Sequence, residues 1–508
     1  MRGKRESEMA IETQPSLKLQ TDLFLDGEFV PSSTGKRFDT TNPATGETIA
    51  QVAQAGTEDL DRAVSGARKA FESGPWAAMK PRQRGRILTR AAELLLSRAE
   101  DFGRVETMDN GKPIFESAKI DMPAAAECLA YFGESADKLY GDTLPARPDA
   151  MLLTLREPVG VVGAITPWNF PLLQAMWKIA PALALGNAVV LKPASVTPLT
   201  SLLFAELLAE AGLPPGAFQV LTGPGAVIGK AMAEHPGIDK ISFTGETETG
   251  KSILRAAAGT VKRVSMELGG KSPNVVFADA DLDAAAKGAI NAIFYGKGEL
   301  CSAGSRLLVE DSVHDALMEK VVDRARKMPP GDPMNPKTRL GSLVSEKQRD
   351  TVAGYVETGK REGAKLVAGG NRASVDGKGA FFEATVFDEV APSMTIAREE
   401  IFGPVLATLR FRDEAEAIAI GNSTIYGLAA AVWTRDIKKA LRTAKQLKAG
   451  TVWVNTYNFY DPGLPFGGYK ESGYGRENGM EAIKEFTQTK SVWVQHTGRM
   501  SDPFAMRS

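Results

Sequence analysis

A cysteine stands among glycines and small polar residues in "FYGKGELCSAGSR", Phe294 to Arg306. Only two cysteines occur in 508 residues, so Cys301 is either a thiol placed to react or a small packed hydrophobe. Four other segments carry groups that could serve a reacting thiol. "AITPWNFPLL" sets the amide of Asn169 in a loop bounded by Trp, Phe and Pro, just after an apolar run. "VSMELGGKSPN" sets Glu267 before two glycines at a strand-to-loop junction. "REEIFGPV" puts Glu400 and Phe402 on a turn, and "LPFGGYKESGYGRENG" is a glycine-dense loop near the end. Thiols attack carbonyl carbons, amide donors stabilise oxyanions, and carboxylates of raised pKa activate water. Cys128, in the Ala-rich helical "PAAAECLAYF", reads as core.

A second pattern points elsewhere. "GETETGKS", Gly245 to Ser252, satisfies G-x-x-x-x-G-K-[ST] letter for letter. It follows the apolar "KISFT" and precedes the helical "ILRAAA", and "NVVFAD" ends in Asp279 as a magnesium-binding strand would. A nucleotide triphosphatase therefore competes. Glu246 and Glu248 oppose it, because each would stand against several phosphate charges. The same turn at a helix N-terminus suits the smaller charge of a dinucleotide pyrophosphate, or is a plain helix cap.

These residues need a scaffold, and the chain's rhythm supplies one. "DLFLDGEFV" alternates and turns like a sheet edge. "TEDLDRAVSGARKAFES", opening on a Thr/Asp cap, and the longer "KPRQRGRILTRAAELLLSRAEDFGRVETMDNGK" have helical apolar spacing. From Pro158 strands and helices alternate, and a second alternation follows Cys301 through "SRLLVE", "AKLVAGG", "PVLATLRF", "GLAAAVWT" and "AGTVWVN". Two doubly wound α/β domains with parallel sheets fit this pattern. "LPARPDAMLLTLREP" and "FTQTKSVWV" read as exposed strands whose edges invite another subunit. A net charge of −1 with no long basic block argues against nucleic acid. The apolar stretches are broken by Gly, Pro, Asn and Lys, which argues against membrane spans. Two cysteines and no signal-type h-region point to a reducing cytoplasm. His235, His314 and His496 are scattered, so no metal is expected.

Taken in order and spacing, the five segments resemble the aldehyde dehydrogenase superfamily, from about "LFLDGEFV" to "TKSVWV", and most closely its non-acylating, broad-specificity and betaine-type branch. The resemblance implies a Rossmann-like NAD(P)-binding domain over 20–136 and 158–268, and a catalytic domain over 269–482. It implies oligomerisation strands over 137–157 and 483–497, with 1–19 a flexible tail and the assembly a homodimer or homotetramer. It implies Cys301 as nucleophile, Asn169 with the Cys301 N–H as oxyanion donors, and Glu267 as the base for thioester hydrolysis. Lys178 and Glu477 match the family's internal proton path. Hydride would pass to a nicotinamide lined by Ile165, Thr166, Pro167 and Trp168. Lys192 would reach the adenosine ribose, near the departure at Ser195. Gly245, Glu246 and Gly250 would face the pyrophosphate, and Gly225 and Leu268 would also contact the cofactor. Glu400 would accept from the nicotinamide ribose and Phe402 would lie against the ring.

The chain departs from the family's pattern at three of these places. Ser195 stands where NAD-preferring members carry Glu, so NADP is expected to be used besides NAD. Glu246 stands where serine is common, and its carboxylate could instead face its own helix start. Glu299 stands where glutamine is common, and a second carboxylate there would raise the thiol's pKa or move protons. The substrate funnel carries over as Phe170, Gln174, Trp177, Leu300, Ser302, Tyr460 and Phe466. Its aromatic character suits an apolar or aromatic aldehyde. Trp177 and Tyr460 with Asp461 would also suit a cationic betaine or amino aldehyde. No arginine stands at these positions, which disfavours carboxylate-bearing aldehydes. A coenzyme-A-acylating enzyme is the rival within the family, and Glu267 disfavours it.

Overall fold

The computed structural model describes residues 18–498 and 502–504. The tail expected over 1–19 lies almost wholly outside the described residues.

Five strands form the parallel centre of a first sheet. In spatial order they are Phe218–Val220, Ala188–Lys192, Val161–Ile165, Lys240–Thr244 and Arg263–Glu267. Val161–Ile165, Ala188–Lys192 and Lys240–Thr244 are buried at every position, as strands covered on both faces must be. The strand order reverses between Val161–Ile165 and Lys240–Thr244. A crevice therefore opens at their carboxyl ends, where a doubly wound sheet receives its ligand. The Thr166–Asn169 loop leaves one of these strands and the Gly245 turn leaves the other.

The edges are antiparallel. Leu23–Leu25 and Glu28–Val30 form a hairpin through Asp26 and Gly27, whose φ values of 54° and 89° are those of a tight left-handed turn. The other edge is closed by Gly473–Tyr474, which pairs with Arg263–Glu267. That strand comes from the segment expected to belong to the other domain. The helix Thr57–Ser73 is capped by Gly56, whose N–H donates to the Asp59 carboxylate at 2.8 Å, and not by Thr57. The long second helical pattern breaks at Arg98 (φ −112°, ψ 17°) into Pro81–Ser97 and Ala99–Asn110.

The second sheet runs Lys365–Ala368, Thr385–Asp388, Val405–Phe411, Arg306–Glu310, Pro273–Val276, Ala429–Trp433 and Thr451–Val454. All neighbours are parallel except the first pair. Lys365–Ala368 is joined to its neighbour through the hairpin Arg372–Val375 and Lys378–Phe382, with no crossover helix to restore its direction. Ala150–Pro158 and Thr487–Gln495, nine residues each, pair with one another in a separate sheet with Thr143–Leu144. One edge of Thr487–Gln495 stays unpaired among the described residues. No described helix is long and apolar enough to cross a membrane.

Candidate active site

The helix Leu282–Phe294 runs into the Cys301 loop, and the backbone then turns left-handed at Gly296, Lys297 and Gly298 (φ 57°, 64° and 73°). A Cβ on Gly298 would lie 2.2 Å from the Gly403 carbonyl oxygen, so glycine is required there by both handedness and space. Cys301 emerges from this turn buried, lining a cavity of about 750 Å³.

Glu267 ends the strand Arg263–Glu267, and the two glycines beyond it explain why the site can close. A Cβ on Gly269 would come within 2.2 Å of Glu400 Oε2, and one on Gly270 within 2.3 Å of the Cys301 carbonyl oxygen. The Gly270 N–H donates to Glu400 Oε1 at 2.9 Å. Burial pushes Glu267 up to about 8, helped by the charge of Glu477 and opposed by Lys178 and the Cys301 thiol. The Cys301 thiol is the polar partner that faces its carboxyl. Burial also pushes the Cys301 thiol up, and the carboxylates of Glu267 and Glu400 add to it. The thiolate is thus disfavoured before substrate arrives, and the carboxyl of Glu267 is poised near neutrality.

Asn169 is buried four residues beyond the strand Val161–Ile165, and its Nδ2 donates to the Glu299 carbonyl at 2.9 Å. The amide has a second N–H to offer. Lys178, wholly buried on the helix Pro171–Ala184, ion-pairs with Glu477 and donates to Thr244 Oγ1 at 2.6 Å. Glu299 departs from expectation. Its Oε1 accepts from the Val344 N–H at 3.0 Å and its Oε2 pairs with Lys297 Nζ at 2.7 Å. Its carboxylate is occupied by these partners, and the acids that raise the thiol are Glu267 and Glu400.

The crevice gathers the residues expected at a cofactor. The Trp168 and Phe402 rings meet edge to face, centroids 5.1 Å apart. Lys192 Nζ donates only to the neighbouring Pro193 carbonyl, and burial lowers its pKa to about 8. It lies 3.8 Å from where a Cβ on Gly225 would sit. Ser195 Oγ donates to the Gly223 carbonyl at 2.6 Å. Leu268 packs on Gly250, where a Cβ would meet it at 2.6 Å, and a Cβ on Gly245 would meet the Phe243 ring at 2.7 Å. The hydroxyl of Thr166 is buried without a hydrogen-bond partner among the described residues, and such an orphaned donor fits a polar ligand lying across the crevice. Glu246 occupies the cap position of the helix Thr247–Ala257 but makes no cap bond, accepting instead from the Thr249 hydroxyl at 3.4 Å. The helix begins two residues after Gly245, leaving no long phosphate-wrapping loop. Lys251 is held by Glu248 and Glu471, each at 2.8 Å. This geometry removes the triphosphatase reading of the motif.

Six of the seven expected funnel residues line the cavity: Phe170, Gln174, Trp177, Leu300, Tyr460 and Phe466. Ser302 does not; its hydroxyl lies behind the wall, 2.6 Å from the Tyr460 hydroxyl. Trp177, Tyr460 and Phe466 pack with centroids 5.3–5.9 Å apart. Cys128, read as core, also lines the cavity, its thiol 3.8 Å from Asn478 Oδ1. Phe115, Ile120 and Phe459 were not foreseen, nor were Arg324 and Arg339, which bring cationic groups to a wall expected to lack them. Nothing in the local sequence marks these residues, because they come from helices and loops far from Cys301.

Beside a dinucleotide-type crevice the buried Glu267 carboxyl thus approaches the Cys301 thiol, and the Asn169 amide is bonded to the backbone two residues before that thiol. The aldehyde dehydrogenase family model matches residues 29–492. The chain belongs to the aldehyde dehydrogenase family. It is 46% identical to the betaine aldehyde dehydrogenase of Bacillus subtilis (strain 168), over 93% of this chain and 96% of that one. It superposes on the aldehyde dehydrogenase KauB of Pseudomonas aeruginosa with a TM-score of 0.93 at 47% identity, covering 94% and 97% of the two chains. A P. syringae indole-3-acetaldehyde dehydrogenase, solved with NAD+ and IAA, matches with a TM-score of 0.93 at 46% identity, covering 95% and 98%. Among the described residues, no group of three or more His, Cys, Asp or Glu is placed to hold a metal.

Proposed function

We propose that this aldehyde dehydrogenase oxidises an aldehyde to the carboxylic acid with NAD, and also with NADP, through a covalent adduct on Cys301. Cys301 Sγ adds to the aldehyde carbon and loses its proton to the site's carboxylates. The new oxyanion is held by Asn169 Nδ2 and the Cys301 N–H. Glu400 and Phe402 would hold the ribose and ring of a nicotinamide cofactor, which when bound would supply the hydride acceptor that turns the adduct into a thioester. Glu267 then takes a proton from water as the water adds to the thioester carbon, and the Glu477–Lys178 pair carries the proton away. The acid leaves and the thiol is restored. The single observation that supports this most is that Glu267 reaches the buried Cys301 thiol while Asn169, from a third segment, bonds the backbone two residues before it. Glu267 also favours water over coenzyme A as the acyl acceptor.

The aromatic packing of Trp177, Tyr460 and Phe466 supports an apolar or aromatic aldehyde, and the likeness to the indole-3-acetaldehyde enzyme agrees. The likeness to the betaine enzyme, with Asp461 in the cavity wall, supports a cationic aldehyde as the second reading. Arg324 and Arg339 reopen the case for an anionic one. The test is a panel of linear, aromatic, cationic and carboxylate-bearing aldehydes, with NAD and with NADP, followed at the nicotinamide absorbance. Because residue 195 presents a hydroxyl and not a carboxylate, kcat/KM for the two cofactors should agree within about tenfold. Strict NAD use would overturn that, and an absolute requirement for coenzyme A would overturn the hydrolytic reading.

The assignment of 20–136 and 158–268 to cofactor binding and 269–482 to catalysis belongs to the same proposal, with a cytoplasmic location. So does a homo-oligomer built on the free edge of Thr487–Gln495. Light scattering should give at least twice the mass of 54.3 kDa. A monomeric mass would remove that part.

A further inference from the structure

The two residues flanking Asn169 are both gripped by one short segment. The helix Ala99–Asn110 ends at Asn110, and Gly111 turns the chain left-handed (φ 81°) into a space where a Cβ would lie 2.2 Å from Ser342 Oγ. Asn110 and Lys112 are wholly buried on either side of that turn. Asn110 Nδ2 donates to the Trp168 carbonyl at 2.7 Å. Lys112 Nζ stands 3.7 Å from the centroid of the Phe170 ring, its charge balanced by Asp121 at 2.5 Å and Glu106 at 3.7 Å.

The same segment reaches the nucleophile loop. Lys297, in its left-handed conformation, donates to Asn110 O at 2.9 Å and to Asn110 Oδ1 at 2.8 Å. With Nδ2 donating to Trp168 and Oδ1 accepting from Lys297, the orientation of the Asn110 amide is fixed by its partners. Lys297 also pairs with Glu299, and the Glu299 carbonyl takes the hydrogen bond from Asn169. The contacts therefore close a ring: Asn169, Trp168, Asn110, Lys297, Glu299 and back to Asn169. Cys301 lies two residues beyond that ring.

We propose that Asn110 and Lys297 are positioning residues that set the Asn169 amide against Cys301, and that Glu299 is present to hold Lys297 in place. An oxyanion donor works only at hydrogen-bond distance from where the charge develops. Asn169 lies on a loop of the first sheet and Cys301 on a loop of the second, so their separation needs a brace independent of both sheets. The Asn110–Lys112 turn is that brace. A lysine fully buried at 297 demands a buried counter-charge, and this accounts for an acid at 299. The inference rests on the reading of Cys301 as nucleophile and Asn169 as oxyanion donor.

The test compares Asn110→Ala and Lys297→Met with Asn169→Ala, each alone and combined with Asn169→Ala. Steady-state kcat and KM are read together with the rate of Cys301 alkylation by iodoacetamide. Circular dichroism confirms that each protein is folded at the assay temperature. Asn110→Ala and Lys297→Met should each lower kcat about 10- to 100-fold, with KM and alkylation within about threefold of wild type. In the Asn169→Ala background either change should cost no more than about threefold further, because the donor it positions is already gone. The pair Lys297→Met with Glu299→Gln should fold better than Lys297→Met alone, since no buried charge is left uncompensated. If Asn110→Ala fails to fold, Asn110→Ser takes its place. Folded variants that keep kcat within threefold would overturn the proposal, and so would losses that multiply with that of Asn169→Ala. An active Cys301→Ala enzyme would instead sink the parent reading. An inactive Cys301→Ala with unimpaired Asn110 and Lys297 variants sinks this inference alone.

Discussion

Replacing Cys301 with alanine should lower aldehyde-dependent NAD reduction by at least about 10³-fold and leave the fold intact. The change removes one sulfur from a residue that lines a cavity, so little packing is lost. What disappears is the group that bonds to the aldehyde carbon, and neither Asn169 nor Glu267 can take over covalent attack. Cys128 is the natural control, because it lines the same cavity and its thiol is also pushed up by burial. The carboxylates whose charge reaches it are Glu477 and Glu127, not the base Glu267, and Cys128→Ala should keep kcat within a few-fold. The reverse pattern, an active Cys301→Ala and an inactive Cys128→Ala, would mean the wrong thiol has been assigned.

The second large effect separates the two halves of the reaction. Glu267→Gln keeps the shape of the side chain and removes its basicity. The variant should form the thioester, release a burst of about one reduced nicotinamide per active site, and then turn over some 10²- to 10⁴-fold more slowly than wild type. Its pH behaviour follows from the raised pKa of about 8. The base acts only when deprotonated, so below that value the working fraction grows as pH rises. Wild-type deacylation should therefore climb through about pH 8 and level off above it. In Glu267→Gln that climb should vanish. A wild-type profile flat from pH 6 to 9 under deacylation-limited conditions, or a variant with no burst, would remove Glu267 from this role.

Much of this was legible in the sequence, for physical reasons that also mark where legibility ends. Strands such as Val161–Ile165 and Ala188–Lys192 are unbroken apolar runs because both faces are covered, and that signal is local. The pair of glycines after Glu267 was visible as a junction, but what they make room for, Glu400 and the Cys301 carbonyl, was not. The role of Glu299 stays open in the sequence because its partners, Lys297 and the Val344 N–H, meet it only in the folded chain. The funnel was half read: its inner wall adjoins the catalytic motifs in sequence, whereas Phe115, Arg324 and Arg339 reach it only through tertiary packing. Cys128 is core, as its Ala-rich helix implies, and what the helix could not tell is that a cavity reaches that core.

The strand Gly473–Tyr474 closes the first sheet beside Arg263–Glu267, and Glu477 pairs with Lys178 from 299 residues further along the chain. On a ribosome adding about 5–20 residues per second, the carboxylate would follow its lysine by roughly 15–60 s. Through that interval the first sheet lacks its closing strand, and a buried ammonium has no counter-charge. The cofactor half of the molecule is therefore born early and completed late. Its assembly waits on synthesis through Glu477, and a chain released before that residue would leave behind an open sheet edge rather than a finished domain.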